Sequence, residues 1–396
     1  MKKTISLIYG YSARNAGDFA ITLGAIDILL SNGFKVKLFS RYSTSNEDYW
    51  TSKKSLERLY GDIIEYFECP FSLDRSDSIW STIRSYLDGG MALIGIKRND
   101  EFRNKLLSSD AIIFNGGNLF HCSSFTDYAR LKALLYPLNI ARDKKPIVIF
   151  PQSASTINKT GQRLLFPILK KSKCVFLRES DSFKYLSSKT PNNNFQQTID
   201  LAFHINKEQL VNVTRNNTIA ITLRFHTLGD LKYLPDEQIE IISDYIDSYI
   251  DKYKDKYRFI IVVQTDKDEE KSRIFAKKHG LDVYKSNDPI ELLQLYKSVK
   301  LLIGMRLHSI ILALSVGTPC FGLFYRQWGL KNPGLMKDFN MPYRIIDDNS
   351  KEDDIKNIDG LLNSWEENSD NIISKVEYEK IKMNDKIAGL FNNQLS

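Results

Sequence analysis

The chain has 396 residues, 42% hydrophobic and 26% charged, with a formal net charge of +7, and that length implies two domains of α/β size rather than one core. The basic excess is spread thinly, without the dense block of a nucleic-acid arm, so nucleic acid is not an expected partner, whereas anionic substrates or an acidic membrane surface suit it. Four cysteines without a CxxC pair read as buried thiols in a reducing compartment, which argues against a disulfide framework or a zinc site.

The N-terminus, MKKTISLIYG, is too short in its apolar run for a secretory signal and reads as a first strand, Lys3 to Tyr9. A Gly-rich loop, Gly10 to Asp18, feeds a helix over Phe19 to Asn32, and a strand over Lys35 to Ser40 completes a βαβ opening. The loop is neither GxGxxG nor a Walker sequence. Asn15 and Asp18 stand at its mouth, where Asp18 serves either a ligand or simply the helix as its N-cap. Helical patterns follow over 47–60, 77–87 and 100–107, with a break at Asp88-Gly-Gly90.

The short buried strand Ala111 to Phe114 runs into Asn115-Gly116-Gly117-Asn118, where the glycines permit close approach of a ligand or another backbone. A helix over Tyr128 to Asp143, a strand over Ile147 to Phe150 and a helix over Gly161 to Lys171 come next. Strand Cys174 to Leu177 ends in Arg178-Glu179-Ser180-Asp181, and 200–203 reads as a short strand. Several strands thus end in polar loops, the side on which open parallel sheets bind ligands. The polar stretch 205–217 marks the boundary between a domain over 1–205 and one over 218–350, with helices over 351–396 that would pack back across the domains.

The second domain repeats the pattern. Strand 218–223 ends at Arg224-Phe225-His226, helix 236–252 is amphipathic, and strand 259–263 ends at Gln264-Thr265-Asp266. A helix over 269–279, a strand over 282–284 and a helix over 289–298 lead to the most apolar stretch, LLIGMRLHSIILALSVGTPCFGLFY, residues 301–325. Its strand, turn and all-round apolar helix place Arg306 and His308 where free backbone N–H groups favour an anion. A buried ion pair with an interior histidine stays open as the alternative. No run approaches the 18 to 20 apolar residues of a spanning helix. The expected fold is α/β and GT-B-like, two doubly wound Rossmann-like domains facing a central cleft, on which several chemistries occur.

The motifs are more specific. GYSARNAGDFAI with its N-x-GD core, NGGN at 115–118, FLRES at 176–180, DLAF at 200–203 and RLHSIILALSVGTPCFGLFY at 306–325 resemble the polysaccharide pyruvyl transferase family. The resemblance implies phosphoenolpyruvate as donor, a pyruvate ketal formed on two hydroxyls of a sugar in a cell-surface polysaccharide precursor, and release of phosphate. It implies donor binding by Arg306, Leu307 and His308, with His308 also an acid/base candidate. Arg178 and Arg224, at strand ends, are candidates to complete the anion clamp, with surface or hinge ion pairs as the alternative. Asn15, Gly17, Asp18, Gly116, Gly117 and Asn118 are expected on the acceptor side. Asp18, Glu179 or Asp181 would supply the second proton transfer. His121, His204, His226 and His279 read as incidental, His226 least safely so because it lies two residues from Arg224.

No cofactor and no metal are expected. A lipid-linked oligosaccharide acceptor would hold this cytoplasmic chain at the inner membrane face. The alternatives are a GT-B glycosyltransferase using a nucleotide sugar, weakened because Tyr325-Arg326-Gln327-Trp328 lacks an acidic ribose contact after its strand, and a non-catalytic glycan-binding protein.

Overall fold

Short, β-branched apolar runs alternating with amphipathic stretches form parallel strands and covering helices. The computed structural model describes residues 2–70, 100–190, 194–227, 232–348 and 352–392; the helix expected over 77–87 and the break at 88–90 lie outside them. The chain divides into two compact units, one of residues 1–14, 18–205 and 380–396, the other of residues 15–17 and 206–379.

The first unit is built on a parallel sheet of β1 (Thr4–Gly10), β2 (Lys35–Ser40), β3 (Ile64–Phe67), β4 (Ala111–Phe114), β5 (Gly117–Cys122), β6 (Ile147–Ile157), β7 (Cys174–Leu177) and β8 (Phe195–Gln197). The strand order is β3-β2-β1-β4-β6-β7-β8, with β5 added on β6. Order reverses between β1 and β4, which makes that pair the switch point of a doubly wound sheet. Its helices are α1 (Ala16–Ser31), α2 (Glu47–Tyr60), α3 (Asp100–Leu107), α4 (Phe125–Leu134), α5 (Tyr136–Ala141), α6 (Lys159–Lys171) and α7 (Ser180–Lys189). All four residues of β4 are buried, and Phe114 packs edge-on to Tyr9 at 5.7 Å and stacks with Phe120 at 6.0 Å.

Four details depart from the sequence reading, each for a local reason. The single helix expected over 128–143 is two, because Pro137 sits in the first turn of α5 and cannot donate to a continuous ladder. β6 runs past Pro151 to Ile157 through a register shift between Ile149 and Gln152, and its extension pairs with β5, which begins inside the supposed NGGN loop. Residues 201–204 form a 3₁₀ turn, not a strand, because the Asp200 side chain accepts from the Ala202 N–H at 2.8 Å. The strand near there is the short β8 instead.

The second unit repeats the plan without additions. β9 (Thr218–Thr222), β10 (Arg258–Val263), β11 (Asp282–Lys285), β12 (Leu301–Gly304), β13 (Cys320–Phe324) and β14 (Tyr343–Ile345) lie in the order β11-β10-β9-β12-β13-β14, all parallel. The switch point falls between β9 and β12. Around the sheet are α8 (Asp236–Tyr253), α9 (Asp266–His279), α10 (Pro289–Ser298), α11 (Leu307–Ser315), α12 (Lys331–Asp338), α13 (Glu352–Asn363) and α14 (Trp365–Asn392). Sequence reading missed α12 and β14. From residue 380 onward α14 groups with the first unit, where Phe391 meets Phe34 at 5.1 Å and Asn384 accepts from Asn32.

The polar stretch 206–217 is no free tether. Arg215 donates to the carbonyls of Tyr296, Val299 and Val316 and to the Thr318 hydroxyl, and its guanidinium lies 4.5 Å over the Trp365 ring. Burial pushes its pKa down to about 10. Lys207 donates to the Ser315 carbonyl, and Val211 exchanges bonds with Gln294. The segment is therefore strapped to the C-terminal ends of α10 and α11.

Helix α1 is buried on nearly every face, and its Gly24 meets the 201–204 turn so closely that a Cβ would stand 1.8 Å from the Leu201 carbonyl oxygen. Backbone cannot yield as a flexible side chain can. Gly24→Ala should therefore cost about 3 kcal/mol, the upper end of ordinary overpacking, read as a lowered urea midpoint; an unchanged midpoint would refute this packing.

Candidate active site

The functional side chains of the second unit gather at the carboxyl ends of β9 and β12. Four apolar residues carry β12 into the turn at Met305, whose N–H donates to the Thr222 carbonyl at 3.1 Å and so ties the turn to β9. Gly304 lets α11 fold back closely: a Cβ there would lie 2.6 Å from Ile310 Cγ1. Arg306 is the extended N-cap residue, and the Ser309 hydroxyl donates to its carbonyl at 2.6 Å while meeting the Thr222 hydroxyl at 2.8 Å. Ser309 through Ser315 are buried, so α11 is a fixed wall. At its N-terminal end stand Leu307 and His308, both half-buried.

Arg306 is held side-on by Asp268. Its Nε and Nη2 donate to the two carboxylate oxygens at 2.7 Å each, a bidentate bond between side chains only 11% and 4% exposed. Asp268 also accepts from or faces His226 Nδ1 at 3.3 Å. The His226 ring stacks on Tyr233 at 4.3 Å, and its carbonyl accepts from the Trp328 indole at 3.0 Å. Arg224 lies 4.9 Å over that same Trp328 ring and donates to the Thr227 carbonyl at 2.9 Å. The two arginines thus flank the switch point, one after β9 and one after β12. His226, read as incidental, joins this cluster. Asp268 was missed altogether, since within KDEEKSR it resembles a solvated helix face.

Asn15 and Gly17 do not stay with the first unit, as the sequence reading has them, but group with the second. Asn15 bridges Thr265, the Ala16 N–H meets the Gln264 carbonyl at 3.4 Å, and the Asn15 side chain accepts from the Gly17 N–H at 3.0 Å. That turn presses Gly17 onto His308: a Cβ at Gly17 would fall 2.5 Å from His308 Nδ1. The glycine is required by this approach, and the N-x-G part of the first motif meets the histidine of the last.

The first unit holds the other candidates. Arg178 is 7% exposed and its donors are engaged: Nε gives to the Ser153 hydroxyl at 2.6 Å and to Glu179 at 2.9 Å, and Nη1 gives to Asp200. Burial disfavours its charge, but Glu179 and Asp200 outweigh that and lift its pKa above the ordinary guanidinium value. Arg178 is therefore the centre of a buried ion-pair cluster. Glu179 is also bonded to Ser182 at 2.8 Å, while Asp181 is exposed. The Gly116 carbonyl accepts from Tyr11 at 2.7 Å; Gly117 has φ 139° and Asn118 is exposed. Asp18 is half-buried in the first turn of α1. Sequence reading passed over Arg41, which is 5% exposed just after β2 with its guanidinium 5.1 Å over the Tyr11 ring. His121 pairs with Asp127 at 3.4 Å and Ser123 at 3.1 Å. All four cysteines are buried and free.

Among the described residues no group of three or more His, Cys, Asp or Glu side chains could hold a metal ion, and no helix is long and apolar enough to cross a membrane. The family model for polysaccharide pyruvyl transferase matches residues 15–326. The amylovoran biosynthesis protein AmsJ of Erwinia amylovora is 24% identical, over 95% of this chain and 96% of its own length. Among solved structures, a putative UDP-N-acetylglucosamine 2-epimerase from Listeria monocytogenes superposes with a TM-score of 0.60 at 11% identity, covering 94% of this chain and 91% of that one. A glycosyltransferase from Rickettsia africae gives 0.55 at 12% identity, covering 99% and 97%. These likenesses establish the GT-B-like fold and carry nothing about substrate.

Gly17→Ala is expected to displace either the His308 ring or the 15–17 turn. Hydrogen–deuterium exchange should rise in peptides spanning 15–25 and 305–312 while the rest of the molecule is unchanged; wild-type protection in both would contradict the contact.

Proposed function

The chain belongs to the polysaccharide pyruvyl transferase family, and from that premise we propose that it moves pyruvate from phosphoenolpyruvate onto two hydroxyls of one sugar, as a ketal, in the biosynthesis of a cell-surface polysaccharide. The observation that carries the reading is the Arg306 guanidinium fixed by Asp268 beside the N-terminus of α11. The donor bears a carboxylate and a phosphate. A guanidinium carries its N–H donors in a planar fork that matches carboxylate and phosphate geometry, and the two bonds to Asp268 fix the plane of this one. The backbone N–H groups opening α11 and the nearby Arg224 add to the same positive field.

The proposed reaction balances as follows. A general acid protonates the donor methylene, which becomes the methyl group and leaves positive charge on the carbon bearing phosphate. One sugar hydroxyl adds to that carbon and loses its proton. The carbon–oxygen bond to phosphate breaks, phosphate leaves as inorganic phosphate, and the second hydroxyl adds and loses its proton to close the ketal. His308 is proposed for one proton transfer. Asp18, which follows Gly17 directly in the chain, is proposed for another. Arg306, Leu307 through its backbone, and His308 would bind the donor; Asn15, Gly17, Gly116, Gly117 and Asn118 are proposed to serve the acceptor. The proposal runs on these side chains and phosphoenolpyruvate, with a lipid-linked sugar as the acceptor class that would bring the chain to a membrane surface.

Phosphate release from phosphoenolpyruvate in the presence of a lipid-linked or nitrophenyl galactoside tests the reading; turnover of a nucleotide sugar without that release would sink it. Arg306→Ala is a poor probe, because it leaves Asp268 buried and unpaired at a cost of about 3–5 kcal/mol. Arg306→Lys keeps the charge and loses the fork, and should lower kcat/KM about 100-fold. His308→Ala should lower kcat about 10²- to 10⁴-fold with the unfolding midpoint preserved; full activity would remove it from the mechanism.

A further inference from the structure

We infer that Trp50 is a stacking platform for a hexopyranose ring of the acceptor, with Glu47 and Arg14 beside it to meet the sugar's hydroxyls. This deepens the pyruvyl-transfer reading and rests on it. Trp50 is 52% exposed, yet its indole is not loose. Its Nε1 donates to the Thr44 carbonyl at 2.8 Å, and the Tyr49 ring meets it edge-on at 5.1 Å. Thr44 is itself pinned, its N–H and hydroxyl both donating to Glu68 at 2.9 Å. Asn46 caps α2 by accepting from the Asp48 N–H at 2.8 Å. A large apolar ring is thus held rigid at the surface with much of its area open.

Its location gives the ring a purpose. Loop 41–46 leaves the carboxyl end of β2, where the Arg41 N–H donates to the Gly10 carbonyl at 3.0 Å. The first turn of α2 is laced to the loop that leaves β1: Ser12 donates to Asp48, and the Ala13 N–H donates to Ser52 at 3.0 Å. Trp50 therefore stands on the rim of the first sheet's ligand side, beside the loop that leaves β1. On the same rim Arg14 and Glu47 lie 3.9 Å apart with side chains 41% and 79% exposed, and the Lys53 ammonium lies over one face of the Trp50 ring, 5.6 Å from its centroid, so the opposite face is the one for a sugar. A fixed aromatic face with exposed carboxylate and cationic groups around it suits a pyranose, whose C–H face is apolar and whose edge is a ring of hydroxyls. Isolated surface tryptophans need no explanation; one immobilised at two edges, beside hydroxyl-binding groups on the ligand side of the sheet, fits a role in recognition.

The test uses the full chain and a panel of methyl hexopyranosides. Trp50→Phe and Trp50→Ala are compared with wild type by sugar titration of intrinsic fluorescence without donor, and by phosphate release with donor. The expected result is a saturable sugar-dependent change in the wild-type minus Trp50→Phe difference spectrum. In turnover, the acceptor KM should rise about tenfold in Trp50→Ala and less in Trp50→Phe, with the phosphoenolpyruvate KM unchanged. No sugar of the panel altering the difference spectrum, or donor and acceptor KM rising together, would overturn the platform. Because the fluorescence arm needs no turnover, a chain that binds sugar through Trp50 but releases no phosphate would refute the pyruvyl-transfer reading and leave the platform standing as a sugar site.

Discussion

The bond between Asp268 and Arg306 is the constraint on which the second unit's site depends. A buried carboxylate without a partner is costly, and a buried guanidinium equally so, so each fixes the other at the mouth of the sheet. The strands set the stage: β9 and β12 stay paired to their carboxyl ends, and α9 delivers Asp268 while the turn after β12 delivers Arg306. His226, Tyr233, Trp328 and Arg224 then fill the space around the pair by stacking and by bonds to backbone. The first unit solves a similar problem with the opposite balance. There one arginine, Arg178, answers two carboxylates, so its charge is consumed by the protein itself.

Most of the architecture was legible in the residues because buried parallel strands announce themselves as short apolar runs bounded by turn residues. Cys320–Phe324, Lys35–Ser40 and Ala111–Phe114 lie where their runs place them. What was not legible depended on partners distant in the chain. β5 is a strand only because the extension of β6 offers it an edge. In the site, Arg306 and His308 could be read from an improbable pair of polar residues inside an apolar stretch. Asp268 could not, since its acidic neighbours suggest a wet helix face and only folding buries it against an arginine 38 residues away. Arg41 and Trp50 carry no local signal at all; their meaning comes from the loop ends they share with β1 and β2.

Two glycines of α1 show how one residue type serves two ends. Gly17 yields its side chain to the His308 ring, while Gly24, seven residues later in the same helix, yields it to the Leu201 carbonyl. Gly17 is counted with the second unit and Gly24 with the first, and each close approach lies within its own unit. The helix is thus a record of close approaches as much as of chemistry.

The strap made by residues 206–217 has a consequence for how such chains can be recombined. Arg215, Lys207 and Val211 belong by their bonds to α10 and α11, although they read as connecting sequence. A second unit exchanged between relatives at the end of this stretch would leave the C-terminal carbonyls of α11 uncapped, whereas a crossover at 205/206 would carry the clasp along. The exchange cannot be a single splice, because residues 15–17 and the end of α14 are each counted with the unit that does not contain their neighbours in sequence. Modularity in this fold is therefore interleaved, and the transferable piece is a set of contacts rather than a continuous segment.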